Sequence, residues 1–262
     1  MKYIIIQFCF FTFISSFAQG EMNLGTVNHT PLKAERFVGI DNFGHLYYIK
    51  NQTLFKQSPA EIVEFKDFQL GTIGQVDILN PLRITLFYPQ YQTAVILDNK
   101  LNEIRRISFV MEPPFLNVVN ATTAADNKLW TFNEDSQQLE TYNYREKVNY
   151  TLSRPIAERY ITQQSNFNFC YVLTDKNLRV YNVYGSLIHS IPGKGIQKMS
   201  LSNDKILMLR NNSLYLLTEN LSVETGIKTP ELTIKDLYLS DDFLYIYDGE
   251  IIHKMKLTKS QN

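Results

Sequence analysis

The chain has 262 residues, 44% hydrophobic and 20% charged, a composition that can bury a core and excludes a disordered chain. Lys plus Arg and Asp plus Glu stand at 26 each. There is thus no basic excess of the kind that holds nucleic acid, and no polybasic run suited to an anionic membrane surface.

The N-terminus opens with Lys2, continues through a nearly unbroken apolar run over residues 4–14, and ends in Ser15-Ser16-Phe17-Ala18. Charge, apolar core and small-x-small in that order predict a secretory signal peptide, residues 1–18, cleaved before Gln19. The run is well short of the roughly 20 residues that span a bilayer, so no integral membrane segment is expected after cleavage. Cys9 lies inside the run and no Cys stands at the cleavage point, which argues against a lipid anchor. Cleavage leaves 25 basic and 26 acidic side chains and a single cysteine, Cys170. No intrachain disulfide can form, and Cys170, within an apolar run over 169–173, reads as a buried thiol. An exported chain without disulfides suits a bacterial periplasm. Six Asn-x-Ser/Thr sequons, beginning at Asn28, Asn51, Asn120, Asn149, Asn211 and Asn220, leave the extracellular space as the alternative.

From residue 22 onward the chain reads as strands and turns. Leu201-Ser202-Asn203-Asp204 recurs 38 residues later as Leu239-Ser240-Asp241-Asp242. Each copy is followed by an apolar strand, a polar turn and a second apolar strand. Extended backwards, the unit predicts first strands beginning near Phe37, Val76, Val118, Tyr160, Met199 and Leu237, 38 to 42 residues apart. Second strands are predicted over 46–49, 84–87, 129–132, 169–173, 206–209 and 243–247, and third strands over 54–55, 93–97, 139–142, 178–181, 214–217 and 251–255. Asn, Asp and Gly, which tolerate left-handed backbone, fall at the tips between them. Weaker fourth strands are predicted over 61–65, 104–109, 147–152, 187–191 and 223–228. Four short strands per repeat of about 40 residues is the pattern of a β-propeller blade. The expectation is an all-β propeller of six blades in a single domain, residues 19–262. The sixth unit ends at Leu257 without a fourth strand, and residues 22–27 are expected to supply it and close the ring.

The blade pattern, an apolar strand, an Asp/Asn turn and then a strand such as Leu46-Tyr47-Tyr48-Ile49, resembles NHL-type and WD-repeat-like propellers in architecture. Trp130 is followed by Thr131, so the Trp-Asp signature of WD repeats is absent, as are the Asp boxes of sialidases. The Ala18-Gln19 cleavage point and the abundance of Asn, Tyr and Ile resemble exported proteins of Bacteroidota. That resemblance implies an accessory role in the type 9 secretion machinery, with an outer-membrane or secretion component as protein partner.

Chemistry is sparse by contrast. His29, His45, His189 and His253 have no metal-ligand spacing, and no Gly-x-Ser-x-Gly turn is present. Ile191-Pro192-Gly193-Lys194-Gly195 lacks the spacing of a phosphate loop. The acids at Asp241-Asp242 and at Asp248 and Glu250 lack the order of a calcium loop. No cofactor, metal or catalytic residue is expected. In a propeller the residues before each first strand ring the mouth of the central channel, here Arg36, Gln75, Asn117, Arg159, Lys198 and Asp236. Arg36, Arg159, Lys198, Asp236 and Asn117 are the binding candidates, with Glu35 and Glu158 preceding the two arginines. Pro113-Pro114-Phe115, a stiff loop carrying an aromatic ring, is the candidate docking point for a partner. The expected function is a non-catalytic interaction or scaffold module. The alternative is an enzyme or carbohydrate-binding propeller with its site at the channel mouth.

Overall fold

The computed structural model describes residues 21–259 other than 112, 204, 219 and 220, so the expected signal peptide lies outside the described residues. β1 (Met22–Pro31) comes first. β2 (Arg36–Ile40), β3 (Leu46–Lys50), β4 (Thr53–Gln57) and β5 (Ile62–Phe65) then form a four-stranded antiparallel sheet. β6 (Gln75–Asp77), β7 (Ile84–Tyr88), β8 (Thr93–Leu97) and β9 (Glu103–Ser108) form the next. A third sheet holds β10 (Val118–Thr123), β11 (Lys128–Asn133), β12 (Gln138–Asn143) and β13 (Val148–Thr151). The fourth holds β14 (Tyr160–Ser165), β15 (Phe169–Thr174), β16 (Asn177–Asn182) and β17 (Leu187–Pro192).

The remaining strands make one eight-stranded sheet. They are β18 (Ile196–Ser202), β19 (Lys205–Arg210), β20 (Ser213–Thr218), β21 (Val223–Ile227), β22 (Asp236–Leu239), β23 (Leu244–Tyr247) and β24 (Ile251–Lys259). Their order is β18-β19-β20-β21-β1-β24-β23-β22. β1 runs antiparallel to β24 from Met22 opposite Lys259 to Pro31 opposite Ile251, with a bulge between Thr26 and Asn28. It meets β21 at a single parallel bridge, Met22 to Ile227. Two four-stranded groups are thus joined into one sheet by a single parallel bridge at the tip of the N-terminal strand.

Strand and turn positions agree closely with the periodicity in the sequence. The tips Asn51-Gln52, Asp126-Asn127 and Asn211-Asn212 hold two consecutive positive φ values each, between 50° and 63°. That is the backbone of tight hairpin turns whose twist matches the flanking strands. The inner strands β7 and β8 are buried throughout, on both faces, while the outer β9 is largely exposed. Both faces are covered because each sheet packs between two others. Tyr47, Leu54, Ile84 and Leu86 fill the space between the first and second sheets. Trp130, Phe132, Cys170 and Val172 fill that between the third and fourth. Phe37, Tyr245 and Tyr247 join the β2 sheet to the β22–β24 meander, bringing the end of the chain back to its beginning. Sheets packed face to face about one axis, first strands innermost, make an all-β propeller.

The innermost strands have no strand neighbour on the axial side, and such an edge leaves backbone groups to be paired by other means. Side chains from adjacent first strands do this. Asp77 on β6 accepts from the Thr123 backbone N–H on β10 at 2.7 Å. Ser165 on β14 donates to the Thr123 carbonyl at 2.8 Å. Gln164 on β14 donates to the Met199 carbonyl on β18 at 2.7 Å. Ser200 on β18 accepts from the Leu239 N–H on β22 at 2.8 Å. The ring is stitched around its axis by side chains.

Candidate functional site

Of the six residues expected just before the first strands, Asn117 and Arg159 do precede β10 and β14, whereas Arg36, Gln75 and Asp236 open β2, β6 and β22 and Lys198 lies inside β18; most are engaged within the ring. Arg36 Nη1 donates to the carbonyls of Ile73 (3.1 Å) and Gly74 (2.9 Å), in the loop before β6. Burial draws its guanidinium below the usual range, with Asp236 opposing the shift. Asp236 Oδ2 accepts from the Phe37 N–H at 3.0 Å, and Oδ1 pairs with Lys198 Nζ at 3.3 Å. Asn117 donates to Asp135 (2.7 Å) and accepts from Gln92 (2.8 Å). Arg159 is exposed, and its backbone N–H donates to Asp175 at 3.1 Å. The two Glu-Arg pairs do not act alike. Glu35 accepts from the Asn51 N–H. Glu158 is bound by Arg179 at 2.6 Å, by Thr174 and by Asn177, which together hold its carboxyl down at about 2 against burial. Asp236 thus ties Lys198 on β18 to the backbone of β2, Arg36 is bound to the loop before β6, and Asn117 and Arg159 stand in contacts of their own.

The Pro113-Pro114-Phe115 loop links β9 to β10 and contains a cis peptide between the two prolines. Its ends are fixed: the Phe109 N–H donates to the Gln92 carbonyl, and the Leu116 N–H to the Phe109 carbonyl. Between these anchors Met111 and Phe115 are 77% and 69% exposed. Exposed Tyr91 precedes Gln92 at the anchoring turn, and exposed Phe68 follows Asp67, which is tied to Arg106 of β9 at 2.7 Å. Four large apolar side chains thus project from three segments around the second sheet. Phe68, Tyr91 and Met111 were not singled out by periodicity, because an exposed apolar residue in a turn carries no repeat signal.

A cavity of about 410 Å³ opens at the opposite end, among the C-terminal ends of the first strands. Asp41, Asp77, Thr122, Ser165, Ser202 and Asp241 line it, one from each first strand or the turn that follows. Of the residues expected at the channel mouth, Gln75 reaches this cavity. The Tyr238 ring also lines it and lies against Gly39, where a Cβ would stand 2.5 Å from Tyr238 Cδ2. Burial, then the charges of Asp77 and Asp41, push the Tyr238 phenol up to about 12. Desolvation likewise raises the Asp77 carboxyl, against the hydrogen bonds it accepts from Thr123 and Leu79. Among the described residues no group of three or more His, Cys, Asp or Glu is arranged to hold a metal ion. His29 and His253, far apart in sequence, meet edge to face across β1 and β24, and His253 bonds Asp248 at 2.7 Å. Among the described residues, no helix is long and apolar enough to cross a membrane.

Radial sheets around a stitched axis with an opening at one end define a β-propeller. No family model matches the sequence, and no curated protein matches it. Among solved structures, a member of the duf4221 family from Bacteroides vulgatus is similar at TM-score 0.61 and 10% identity, over 92% of this chain and 100% of its own. Streptogramin B lyase is similar at TM-score 0.60 and 11% identity, over 92% and 88% of the two chains. PorZ, an essential bacterial surface component of the type-IX secretion system of Porphyromonas gingivalis, is similar at TM-score 0.53 and 12% identity. The match to PorZ covers 90% of this chain and 34% of that one, so this chain spans about a third of its length. The resemblance to propellers of Bacteroidota therefore holds in architecture, which is what identities this low establish.

Proposed function

We propose that this protein is a non-catalytic interaction module, an exported six-bladed propeller that docks a protein partner in the periplasm or at the outer membrane. In this reading the eight-stranded sheet counts as blades five and six, and β1 serves as the outer strand of the sixth. Residues 1–18 are the cleaved signal, and the propeller is one domain, residues 19–262. The observation that carries the function is the apolar corner of Phe68, Tyr91, Met111 and Phe115, held out by anchored loops on a rigid ring. Large exposed apolar side chains grouped together mark interaction sites. The engagement of Arg36, Lys198 and Asp236 in contacts within the ring supports the same reading. The fold likeness to PorZ favours a surface or secretion component as the partner.

The test is affinity purification of the tagged protein from its native envelope, comparing the unaltered chain with a Met111→Asp/Phe115→Asp variant. A stoichiometric partner retained by the first and lost by the second supports the docking corner. Equal recovery on both overturns it. A second reading, a ligand-binding or enzymatic propeller, is favoured by the cavity on the axis and the fold likeness to streptogramin B lyase. There, outward-facing Arg159 at the other end of the channel is the first residue to change.

A further inference from the structure

The cavity among the first-strand ends differs in kind from the apolar corner. Its volume of about 410 Å³ falls in the range of roughly 300–1,000 Å³ typical of ligand sites. Among the described residues three aspartates line it, and no Lys, Arg or His does. Asp41 is internally committed: its side chain is fully buried and accepts from the Phe43 and His45 backbone, the His45 ring and Tyr47. Asp77 accepts from the Leu79 N–H on Oδ1 and from the Thr123 N–H on Oδ2, with the Thr123 side chain as a further donor. Asp241 Oδ1 accepts from Ser202 and Asn203, both at 2.6 Å. An ionised carboxylate has about four acceptor sites, so Asp77 and Asp241 keep capacity for a further donor. The nearby Arg83 guanidinium is directed instead to Asn127 and Tyr144.

Apolar side chains stand beside the opening. Phe43 is 70% and Leu82 61% exposed on the turns after β2 and β6, and Phe167, on the turn after β14, lines the cavity itself. An acidic recess with apolar side chains beside its opening complements a cation carried between apolar groups. A free amine or a simple ion would fill the recess and leave those side chains uncovered.

We infer that this end of the propeller receives a lysine or arginine side chain presented by a polypeptide, its charged tip between Asp77 and Asp241 and its apolar neighbours against Phe43, Leu82 and Phe167. Anions are repelled there by the lining carboxylates. Neutral isosteres lose the charge-assisted hydrogen bonds that a guanidinium or ammonium supplies.

The test is fluorescence anisotropy on the whole mature chain with three labelled octapeptides, holding arginine, citrulline or glutamate between two leucines. The arginine peptide is expected to bind saturably and more weakly as salt is raised, with the citrulline peptide weaker by about tenfold or more and the glutamate peptide not binding. Asp241→Asn, on an exposed turn, and Asp77→Asn, which keeps an acceptor oxygen for Thr123, are each expected to weaken the arginine peptide by about tenfold. Phe167→Ala is expected to weaken all peptides that bind, and Met111→Asp/Phe115→Asp to change nothing. Equal affinity for the three peptides overturns the inference. So does no binding at about 1 mM, or an affinity unchanged in both aspartate variants. The Met111/Phe115 variant separates this end from the apolar corner, so either proposal can fail alone.

Discussion

Asp236 on β22 accepts a hydrogen bond at 3.0 Å from the backbone N–H of Phe37 on β2, across 199 positions of sequence. The contact joins the last meander to the first at the axis, as the pairing of β1 with β24 joins them at the rim. Asp236→Ala leaves that N–H without its acceptor and Lys198 without its partner. The expected loss of stability is about 1–3 kcal/mol. Asp236→Asn keeps an oxygen for Phe37 and should lose less; Lys198→Met should lose under about 1 kcal/mol, because the pair is partly solvated. Thermal unfolding of the three variants checks the order, and equal losses in all would remove the backbone bond from the account.

Deleting residues 22–28 strips most of β1 from β24, exposing an edge strand and opening the contact to β21. A loss of several kcal/mol is expected, which at roughly 2–4 °C per kcal/mol for a domain of this size lowers Tm by about 10 °C or more. Light scattering should rise together with the fall in Tm, since an unpaired edge recruits other chains. An unchanged Tm would show that β1 decorates the ring rather than closing it.

Acid stability should depend on Glu158. Its carboxyl is held at about 2, chiefly by Arg179, below the usual glutamate range that applies in the unfolded chain. A depressed folded value means the contribution is complete above the unfolded value, near 4.5, and disappears as pH falls from there through about 2. Glu158→Gln should cost about 1 kcal/mol at neutral pH and flatten the fall in stability between about pH 4.5 and 2. Parallel curves for the two proteins across that window would contradict the assignment.

Gly39 sits where any side chain would meet Tyr238. A Cβ there lies 2.5 Å from Tyr238 Cδ2 and 3.0 Å from Ile78 Cδ1. Gly39→Ala should destabilise by about 1–3 kcal/mol through overpacking. It should also displace Tyr238 into the cavity, so its effect on the arginine peptide should exceed that of an equally destabilising change at Asp236.

Cys170 is fully buried between the third and fourth sheets, and burial pushes its thiol well above the usual value. Its reaction with a disulfide reagent should be negligible in the native state and follow unfolding on denaturation. Fast labelling under native conditions would show that these two sheets part locally.

Much of the architecture was legible because blades repeat. Apolar runs such as 206–209 and 214–217 recur at a fixed period, and turn residues such as Asn211 and Asn212 adopt the positive φ their chemistry favours. The strand over 22–27 was legible from a deficit, the missing fourth strand of the last unit. The cavity was not. Asp41 and Asp241 read as hairpin residues and Asp77 as part of a first strand, and each bonds backbone or turn side chains; only the closed ring brings them to one opening. Arg36 and Lys198 show the converse. A charged residue before a first strand looks free in sequence, yet its donors are used by groups 37 or 38 positions away.

The pairing of β1 with β24 also dictates an order of events. The first described strand to leave the ribosome has all but one of its strand pairings in the last, so those pairings must wait until residues 251–259 emerge. Closing so long a loop costs entropy that only the completed set of sheets repays. Intermediate meanders can pack on one another as they appear, but every partial chain carries an open edge at each end. A chain interrupted anywhere before Ile251 is therefore not a smaller version of this protein. It is an open arc, and its exposed strands distinguish an unfinished molecule from a finished one.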